Sequence, residues 1–495
     1  MTYLFTNNQE IKNDSGNPIP ISANTTVNSA DNPIYVDTGL VIPAAFDGEI
    51  KNDSGNPIPI SANTSPNSAT NPIVVTGASD GSYTNADLEF TSKNRLKVSP
   101  YATVFFNTFQ YGKETDIWDE SVTGTGSATH NPNTNAVDMY VDGVAGSKVI
   151  RQTRNVMRYI PGRTSTLNYA VRFEMPVTGI RRRLGLFQDN DGFFFEDAGV
   201  IGADGLPQYN VVIRSSVIGG AVENRVPRNQ WNGDRLDGTG DPVTNPSGIL
   251  ASPTAQHLIN IEYEWYGAGQ VIFGYIINGR NHVIHTFNHA NNLTLPWCST
   301  PFLPIRLELE NLTGVAGDHY MYQGSNSLIT EGVAEKLGIA ANIGSPITGT
   351  SLTTAYSYYP VLSIRLKSTA LKGIVLPTFF QVATTDNTNI FYKLVRNPTL
   401  GTGGSAWTDH PDPNAFTQYQ TYTNPSAIAI NNQGTSLDSG FVIAGSGTGI
   451  RLDKDTVYQM GRGSMGTVSD TFTLLVASSS ANKEAVAAMT WIEQR

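Results

Sequence analysis

The sequence is poor in charge and in cysteine. Only 15% of its 495 residues are charged, against roughly 25% in an average soluble protein. Cys298 is the single cysteine, which excludes an internal disulfide framework and a multi-cysteine zinc site. Because its neighbours Pro296 and Trp297 are apolar, we interpret Cys298 as a buried, unreactive thiol.

Clustered basic charge and long apolar runs are also missing. The net charge is −10, and the only compact basic run is Arg181–Arg183. We therefore expect no nucleic-acid partner, since phosphate binding needs clustered Lys and Arg, and we favour an exposed strand end or loop for this run over a phosphate clamp. No stretch of about 20 apolar residues and no signal-peptide pattern is present. We therefore expect no membrane insertion, and we expect the protein to be made in a cytosol and to be soluble there.

Residues that favour strands and turns are abundant instead. The chain contains 47 Gly, 21 Tyr and 20 Phe, together with many Asn, Thr and Ser. Aromatic residues favour strands and glycine favours turns, so the composition predicts a β-rich protein. Its length predicts two or three structural units.

An internal repeat is the strongest single feature. Residues 10–36 and 49–75 are two copies of a 27-residue segment, offset by 39 residues and different at four positions. Two copies are too few for a solenoid, which usually needs roughly three or more repeats. We interpret residues 1–85 as an extended arm that carries a duplicated module.

Each module joins a polar turn to a proline-containing extended segment. In the first copy these are Asn13–Asn17 and Pro18–Ile21. The prolines remove amide donors, so such a strand pairs along one edge only and suits docking onto a foreign sheet. A weakly ordered linker is the alternative interpretation. The residues that we expect to contact a partner are Ile11, Pro18, Ile19, Pro20, Ile21, Ile50, Pro57, Ile58, Pro59 and Ile60.

The module resembles a short element of virion proteins in contractile-tailed bacteriophages, including phages of cyanobacteria. It reads Ile-Lys-Asn-Asp-Ser-Gly-Asn-Pro-Ile-Pro-Ile at 11–21 and again at 50–60. Stretches such as Tyr159–Thr164 and Trp231–Gly240 are similar to uncharacterised structural proteins of the same phages. The resemblance implies location in a virion, with other virion proteins as partners, and does not specify the part of the particle. We favour a baseplate, neck or tail-fibre component, with a capsid decoration protein as the next choice. We also expect contacts between copies of the chain, and we favour a trimer.

Alternating apolar and polar residues predict antiparallel strands after the arm. Ile259–Trp265 and Ile305–Glu310 alternate in this way, and Asn278–Gly279 is a preferred pair for a type I′ hairpin turn. Strands with one apolar face must bury it against a second sheet. The sequence therefore predicts an all-β fold of tandem antiparallel β-sandwiches of jelly-roll type. The order of the elements resembles the concanavalin-like sandwiches of phage appendage proteins.

The predicted boundaries are 86–325 for the first β-sandwich, 326–360 for a connector and 361–495 for the second sandwich. Thr330–Leu337 is the best helix candidate, with Thr330 as its N-cap. Ala485–Glu493 is the predicted closing strand of the second sandwich.

Candidate ligand sites each have a structural alternative. His282, His285 and His289 form the only histidine cluster, but a straight strand does not bring them together, so we favour structural roles and expect no metal and no cofactor. Asp189–Gly192 and Asp234–Gly238 are dense in turn residues but lack the full spacing of a calcium loop.

Carbohydrate chemistry supplies the alternatives to a structural role. A receptor-binding adhesin would recognise a host surface glycan, with Trp231, Asp234 and Asp237 as candidate contacts. A depolymerase would use Glu262 and Glu264, although a solvated strand face is the favoured interpretation of that pair. Motifs of nucleophilic, zinc-protease and P-loop chemistry are absent from the sequence, so we expect a protein that is not an enzyme.

Overall fold

The computed structural model describes residues 100–332, 337–384, 386–444, 448–451 and 458–494. The predicted arm and both copies of its repeat lie outside these residues. The described part of the chain is all-β, as predicted, with 28 strands and four short 3₁₀ helices. The 3₁₀ helices are Arg228–Gln230, Ser368–Ala370, Ile430–Asn432 and Ser464–Gly466.

Fifteen strands build the first sandwich. They are β1 Tyr101–Asn107, β2 Trp118–Thr123, β3 Ser127–Asn131, β4 Ala136–Val141, β5 Lys148–Thr153, β6 Ser165–Phe173, β7 Ile180–Phe187, β8 Gly192–Asp197, β9 Asn210–Ser215, β10 Val222–Pro227, β11 Gln256–Tyr263, β12 Val271–Ile277, β13 Arg280–Phe287, β14 Ile305–Asn311 and β15 His319–Glu331. Sheet A has the order β13-β12-β11-β6-β15-β4-β3, and β1 also pairs with β15. Sheet B has the order β10-β9-β8-β7-β14-β5-β2. The strand pairs within both sheets are antiparallel.

The hairpin between β12 and β13 confirms the turn predicted at Asn278–Gly279. These two residues have φ values of 52° and 78°, the left-handed backbone that a two-residue type I′ turn requires. Asparagine and glycine tolerate this conformation better than other residues. The turn therefore sets the pairing beside it, from Ile277 opposite Arg280 to Gly274 opposite Val283, and the register shifts beyond Gly274.

The core of the first sandwich lies between sheets A and B and is rich in aromatic rings. Phe193 of β8 lies 4.9 Å from Tyr263 of β11 between ring centres. Phe173 of β6 and Phe195 of β8 are 5.9 Å apart. Each such pair adds about 0.5–1.5 kcal/mol beyond the burial of its area. The predicted alternation of β11 is what directs Tyr263 inward.

Thirteen strands follow in the second sandwich. They are β16 Ile339–Gly344, β17 Thr350–Leu352, β18 Tyr359–Leu366, β19 Ile374–Thr384, β20 Ile390–Arg396, β21 Thr408–Asp409, β22 Thr417–Thr421, β23 Thr435–Val442, β24 Thr448–Arg451, β25 Arg462–Gly463, β26 Val468–Ser469, β27 Thr471–Ser478 and β28 Lys483–Gln494. Sheet C has the order β16-β28-β19-β24, with β17 also paired to β28, and sheet D has the order β21-β22-β18-β27-β20-β23. β25 and β26 form a separate ribbon.

β28 confirms the predicted closing strand. Ala487, Met489 and Trp491 are buried in the core of the second sandwich. The intervening residues are only partly buried, so the strand has the expected apolar and polar faces. Among the described residues, no helix is long and apolar enough to cross a membrane.

The predicted helix N-cap at Thr330 is corrected, and the segment predicted as a connector contains strands. Thr330 pairs with Ala102 of β1 and with Ser165 of β6, so it lies inside β15 and is not a helix N-cap. Residues 333–336 of the predicted helix lie outside the described residues. The predicted connector, 326–360, contains the end of β15 and all of β16 and β17. At Thr330, pairing with two neighbouring strands outweighs the weak local helix signal.

The two sandwiches pack against each other through a seam that is both apolar and charged. Val156, after β5, packs with Ile374 and Leu376 of β19. Arg154, in the same segment as Val156, forms an ion pair with the buried Asp470, which precedes β27. Contacts of both kinds hold the sandwiches together as neighbours.

Candidate functional site

The ten arm residues that we expect to contact a partner lie outside the described residues. Their role therefore stays a prediction. The described residues contain the other candidates, and burial and hydrogen bonding separate the structural groups among them from the accessible ones.

The loop that follows Trp231 is a self-supporting turn. Trp231 is 4% exposed, lies in the core of the first sandwich and donates from Nε1 to the carbonyl oxygen of Val226 at 3.1 Å. The buried Asp234 accepts hydrogen bonds from Leu236 N at 2.9 Å and from Asn245 Nδ2 at 2.7 Å. The buried Trp231 offers no ring face to a sugar, which corrects its prediction as a glycan contact, and Asp234 organises the loop.

The two aspartate-rich stretches are also built into turns. Asp237 is partly exposed and accepts a hydrogen bond from Thr239 N at 3.1 Å; its role in glycan binding stays a prediction. The buried Asp191 accepts from Ser216 Oγ at 2.8 Å and from Ser299 Oγ at 2.7 Å. Burial acts to raise the pKa of Asp191, but the hydrogen bonds from Ser299 and Ser216 outweigh it and lower the pKa. Within the described ranges, no group of three or more His, Cys, Asp or Glu could hold a metal ion.

Two members of the histidine cluster are packed among aromatic rings. His285 lies 4.6 Å from Phe287, and His289 lies 5.2 Å from Trp297 and nearly parallel to it. Burial lowers the pKa of His285 to about 4 and also lowers the pKa of His289. Both rings are therefore neutral at pH 7, which agrees with the structural role that we favour. His282 is partly exposed.

Cys298 is the predicted buried thiol. It is fully buried, and its Sγ donates to the carbonyl oxygen of Thr300 at 3.3 Å. Burial raises its pKa to about 12. The thiol stays protonated at neutral pH and is not a nucleophile.

Glu262 and Glu264 do not lie on a solvated face, contrary to the prediction. They are 7% and 4% exposed, and Thr164 Oγ1 donates to Glu264 at 3.1 Å. A glycosidase must place both carboxyl groups against the scissile bond. Carboxylates buried to this degree are poorly placed to meet a polysaccharide.

The run Arg181–Arg183 lies at the start of β7, as a strand end, but Arg182 and Arg183 are buried, so the predicted exposure is wrong. Arg182 is fully buried and pairs with Asp197 at 2.7 Å. Arg183 is buried and pairs with Glu196 at 2.7 Å. Both carboxylates come from β8, which pairs with β7, so cross-strand partners neutralise a run that looks exposed in the sequence.

Glu308 of β14 lies at the centre of a charged layer on the outer face of sheet B. Arg306 Nε donates to it at 2.8 Å, and Arg183 and Lys148 lie at 3.3 and 3.8 Å. Burial acts to raise the pKa of Glu308, but the positive charges of Arg306, Lys148 and Arg183 outweigh it and lower the pKa to about 2. The charges of this layer are satisfied by one another.

The outer face of sheet A carries accessible polar and aromatic side chains. Cross-strand pairing places Asp138 of β4 opposite Tyr322 of β15, Tyr322 opposite Arg172 of β6, and Arg172 opposite Gln256 of β11. We call these four residues the sheet A row. Three are partly exposed and Gln256 is exposed. The row crosses three strand spacings, about 14 Å.

The sheet A row borders a small cavity. The guanidinium carbon of Arg172 lies 3.6 Å from the centre of the Tyr322 ring. Asn131 Nδ2 donates to Asp138 Oδ2 at 3.1 Å, whereas Asp138 Oδ1 is buried without a hydrogen-bond partner. The cavity has a volume of about 70 Å³. Its lining consists of Asn131, Thr134, Ala136, Asp138, Arg172, Gln256 and Tyr322.

Sequence reasoning missed this row. Its four residues come from four strands that are far apart in the chain. The local signal was the pair Tyr320 and Tyr322, whose spacing puts two rings on one strand face. Their rings are 5.8 Å apart and inclined by 12°. Without the strand order, nothing in the sequence joins them to Asp138 or Arg172.

No protein-family profile and no curated protein matches the chain. Three similar solved structures each match less than half of it. A GH16 protein from Bacteroides ovatus is 11% identical, with 45% of this chain and 99% of that chain covered and a TM-score of 0.31. A legume lectin-like domain from Entamoeba histolytica is 13% identical (47% and 99% covered, TM-score 0.28), and a beta-1,3-glucanase from Mycobacterium marinum is 11% identical (46% and 98% covered, TM-score 0.29). Structural similarity at such low identity and TM-score does not indicate the function of the chain.

Proposed function

We propose that the chain is a structural component of a tailed-phage virion, held in the particle by its arm. The observation that carries this proposal is the identical module at 11–21 and 50–60, with its resemblance to virion proteins of contractile-tailed phages. A short strand with prolines pairs along one edge and offers no second edge for further growth. Such a segment joins one subunit to the next and stops there.

The body of the molecule supports a passive role. Carboxylates of a kind that could act in catalysis, such as Asp191 and Glu308, are buried and bonded to neighbouring side chains. The seam between the sandwiches adds an ion pair between Arg154 and Asp470. These features suit a rigid structural component that holds neighbouring subunits in fixed positions. A baseplate, neck or tail-fibre location is favoured, a capsid decoration protein is the next choice, and catalysis is not part of the proposal.

The arm is the part to test, in the full-length chain and in the phage that encodes it. Ile19, Ile21, Ile58 and Ile60 are changed together to Ser, which removes apolar contacts of both modules. A matched control changes Leu40, Val41 and Ile42 to Ser in the spacer between the modules. The amount of the chain in purified particles is measured by quantitative mass spectrometry.

The wild-type chain and the spacer control should be present in particles at equal copy number. The copy number of the module variant in particles should be at least tenfold lower, while its thermal unfolding should match that of the wild-type chain. Equal incorporation of the module variant, or absence of the wild-type chain from particles, rejects the proposal.

A second function is recognition of host-surface saccharide by the same virion protein. The sheet A row favours it, because Tyr322, Arg172 and Asp138 are partly exposed side chains of the kinds that bind sugars. This function and the structural one are compatible in a tail component. Binding to saccharide alone, without incorporation into particles, would favour the second function over the first.

A further inference from the structure

One face of the first sandwich combines aromatic, carboxylate, amide and guanidinium groups within reach of one ligand. The sheet A row runs across the strands, so its side chains follow one another at the strand spacing of about 4.8 Å. Tyr320 lies beside Tyr322, and Tyr140 lies 5.2 Å from Tyr320 between ring centres. The face therefore has an aromatic strip at β4 and β15 and polar groups on both sides of Tyr322.

The polar groups of this row are not fully used within the protein. Asp138 Oδ1 has no hydrogen-bond partner although the atom is buried. The guanidinium of Arg172 lies over the Tyr322 ring. A buried carboxylate oxygen without a donor costs free energy. A hydroxyl group from a ligand supplies that donor.

The charge of the surroundings disfavours an anionic ligand. Besides Asp138, the face includes Glu174, which accepts hydrogen bonds from Tyr320 N at 2.9 Å and from Tyr322 Oη at 3.5 Å. Tyr140 Oη donates to the exposed Asp318 at 2.9 Å. The whole chain carries a net charge of −10. A ligand with several hydroxyl groups and no negative charge fits these surroundings best.

We propose that the sheet A row is a binding site for a neutral saccharide of a few residues. Tyr320 and Tyr322 contact the apolar faces of the sugar rings. Asp138 accepts a hydrogen bond from one hydroxyl group, and Arg172 and Gln256 donate to others. The cavity of about 70 Å³ is too small for a whole ring and takes a hydroxyl or hydroxymethyl group. This site deepens the second function and does not depend on the arm.

The test is titration of the full-length chain with defined tetrasaccharides, followed by calorimetry and saturation-transfer NMR. The neutral probes are laminaritetraose, cellotetraose, maltotetraose and mannotetraose, and tetragalacturonate is the acidic probe. Asp138→Ala and Tyr322→Ala remove the two central contacts. Tyr111→Ala is the matched control, because Tyr111 is 86% exposed and lies outside the row.

At least one neutral tetrasaccharide should bind, and each row variant should weaken binding by tenfold or more while Tyr111→Ala leaves it unchanged. If Tyr322→Ala does not fold, Arg172→Met takes its place. The proposal is overturned if no neutral probe binds or if only the acidic probe binds. It is also overturned if the row variants bind the neutral probes as tightly as the wild-type chain does. Asp138→Ala should enter particles normally, so loss of this site and loss of the virion role give different results.

Discussion

The two outer faces of the first sandwich use the same kinds of residue in opposite ways. On sheet B, Arg183, Arg306 and Glu308 are buried and paired with one another. On sheet A, Arg172 and Asp138 are partly exposed, and Asp138 keeps an oxygen without a partner. The number of charged groups on a sheet face therefore says little about function. Their pairing and burial distinguish a face that stabilises the fold from one that is open to a ligand.

The largest expected effect is on the sheet B side. Glu308→Ala leaves Arg306, Arg183 and Lys148 without their shared carboxylate in a buried layer. Breaking a buried ion pair from one side costs about 3–5 kcal/mol. We expect a loss of this size in the free energy of unfolding, measured with urea. Asp138→Ala is the sheet A control and should cost less than about 1 kcal/mol; equal losses would remove the contrast between the faces.

The second-largest effect is expected from acid, which should lower the stabilisation that the charged layer of sheet B provides. The folded-state pKa of Glu308 is about 2, below its ordinary value of 4.5. A lowered pKa means that the stabilisation is complete above about pH 4.5 and is lost as the pH falls toward 2. The shift corresponds to about 3 kcal/mol at most. Unfolding free energies from pH 6 to pH 2 should show this slope, and Glu308→Gln should flatten it; an unchanged slope contradicts the assignment.

A smaller effect is expected at the seam. Asp470→Ala removes the buried partner of Arg154 and should cost about 1–3 kcal/mol. The control is Asp116→Ala, because Asp116 is an exposed carboxylate that pairs with Arg396 across the same seam at 2.6 Å; it should cost less than about 1 kcal/mol. Calorimetry should show a broadened or divided transition for Asp470→Ala. Identical curves for the two variants would show that the charged seam does not couple the sandwiches.

The smallest effect is expected in the sheet A row. Tyr322 contributes cross-strand contacts on an accessible face, so Tyr322→Ala should cost about 0.2–1 kcal/mol. The urea midpoint should move slightly while saccharide binding is lost. A loss of several kcal/mol would mean that Tyr322 stabilises the fold, as Glu308 does.

The sequence contained enough information for the fold class and several elements. Alternation predicted β28 and β11, and Asn278–Gly279 predicted its hairpin, because these signals are local. It misled at Thr330, where pairing with β1 and β6 outweighs helix propensity. It also misled at Trp231, since the residue type alone does not distinguish an indole in the core from one on the surface.

The candidate site was not predictable in the same way. Asp138, Arg172, Gln256 and Tyr322 become neighbours only when the strand order of sheet A is known. The pairing of Arg183 with Glu196 and Glu308 is non-local for the same reason. The alternation of apolar and polar residues indicates which face of a strand is polar. It does not indicate which other strand supplies the partner.

The most direct measurement is a cryo-EM density map of the particle that contains this protein, at a resolution that shows side chains. We expect both sandwiches in ordered, symmetric positions, with Pro18–Ile21 or Pro57–Ile60 paired to a sheet edge of a neighbouring subunit. Particles complete without the chain, or the chain in place with both segments far from any neighbour, would contradict this expectation.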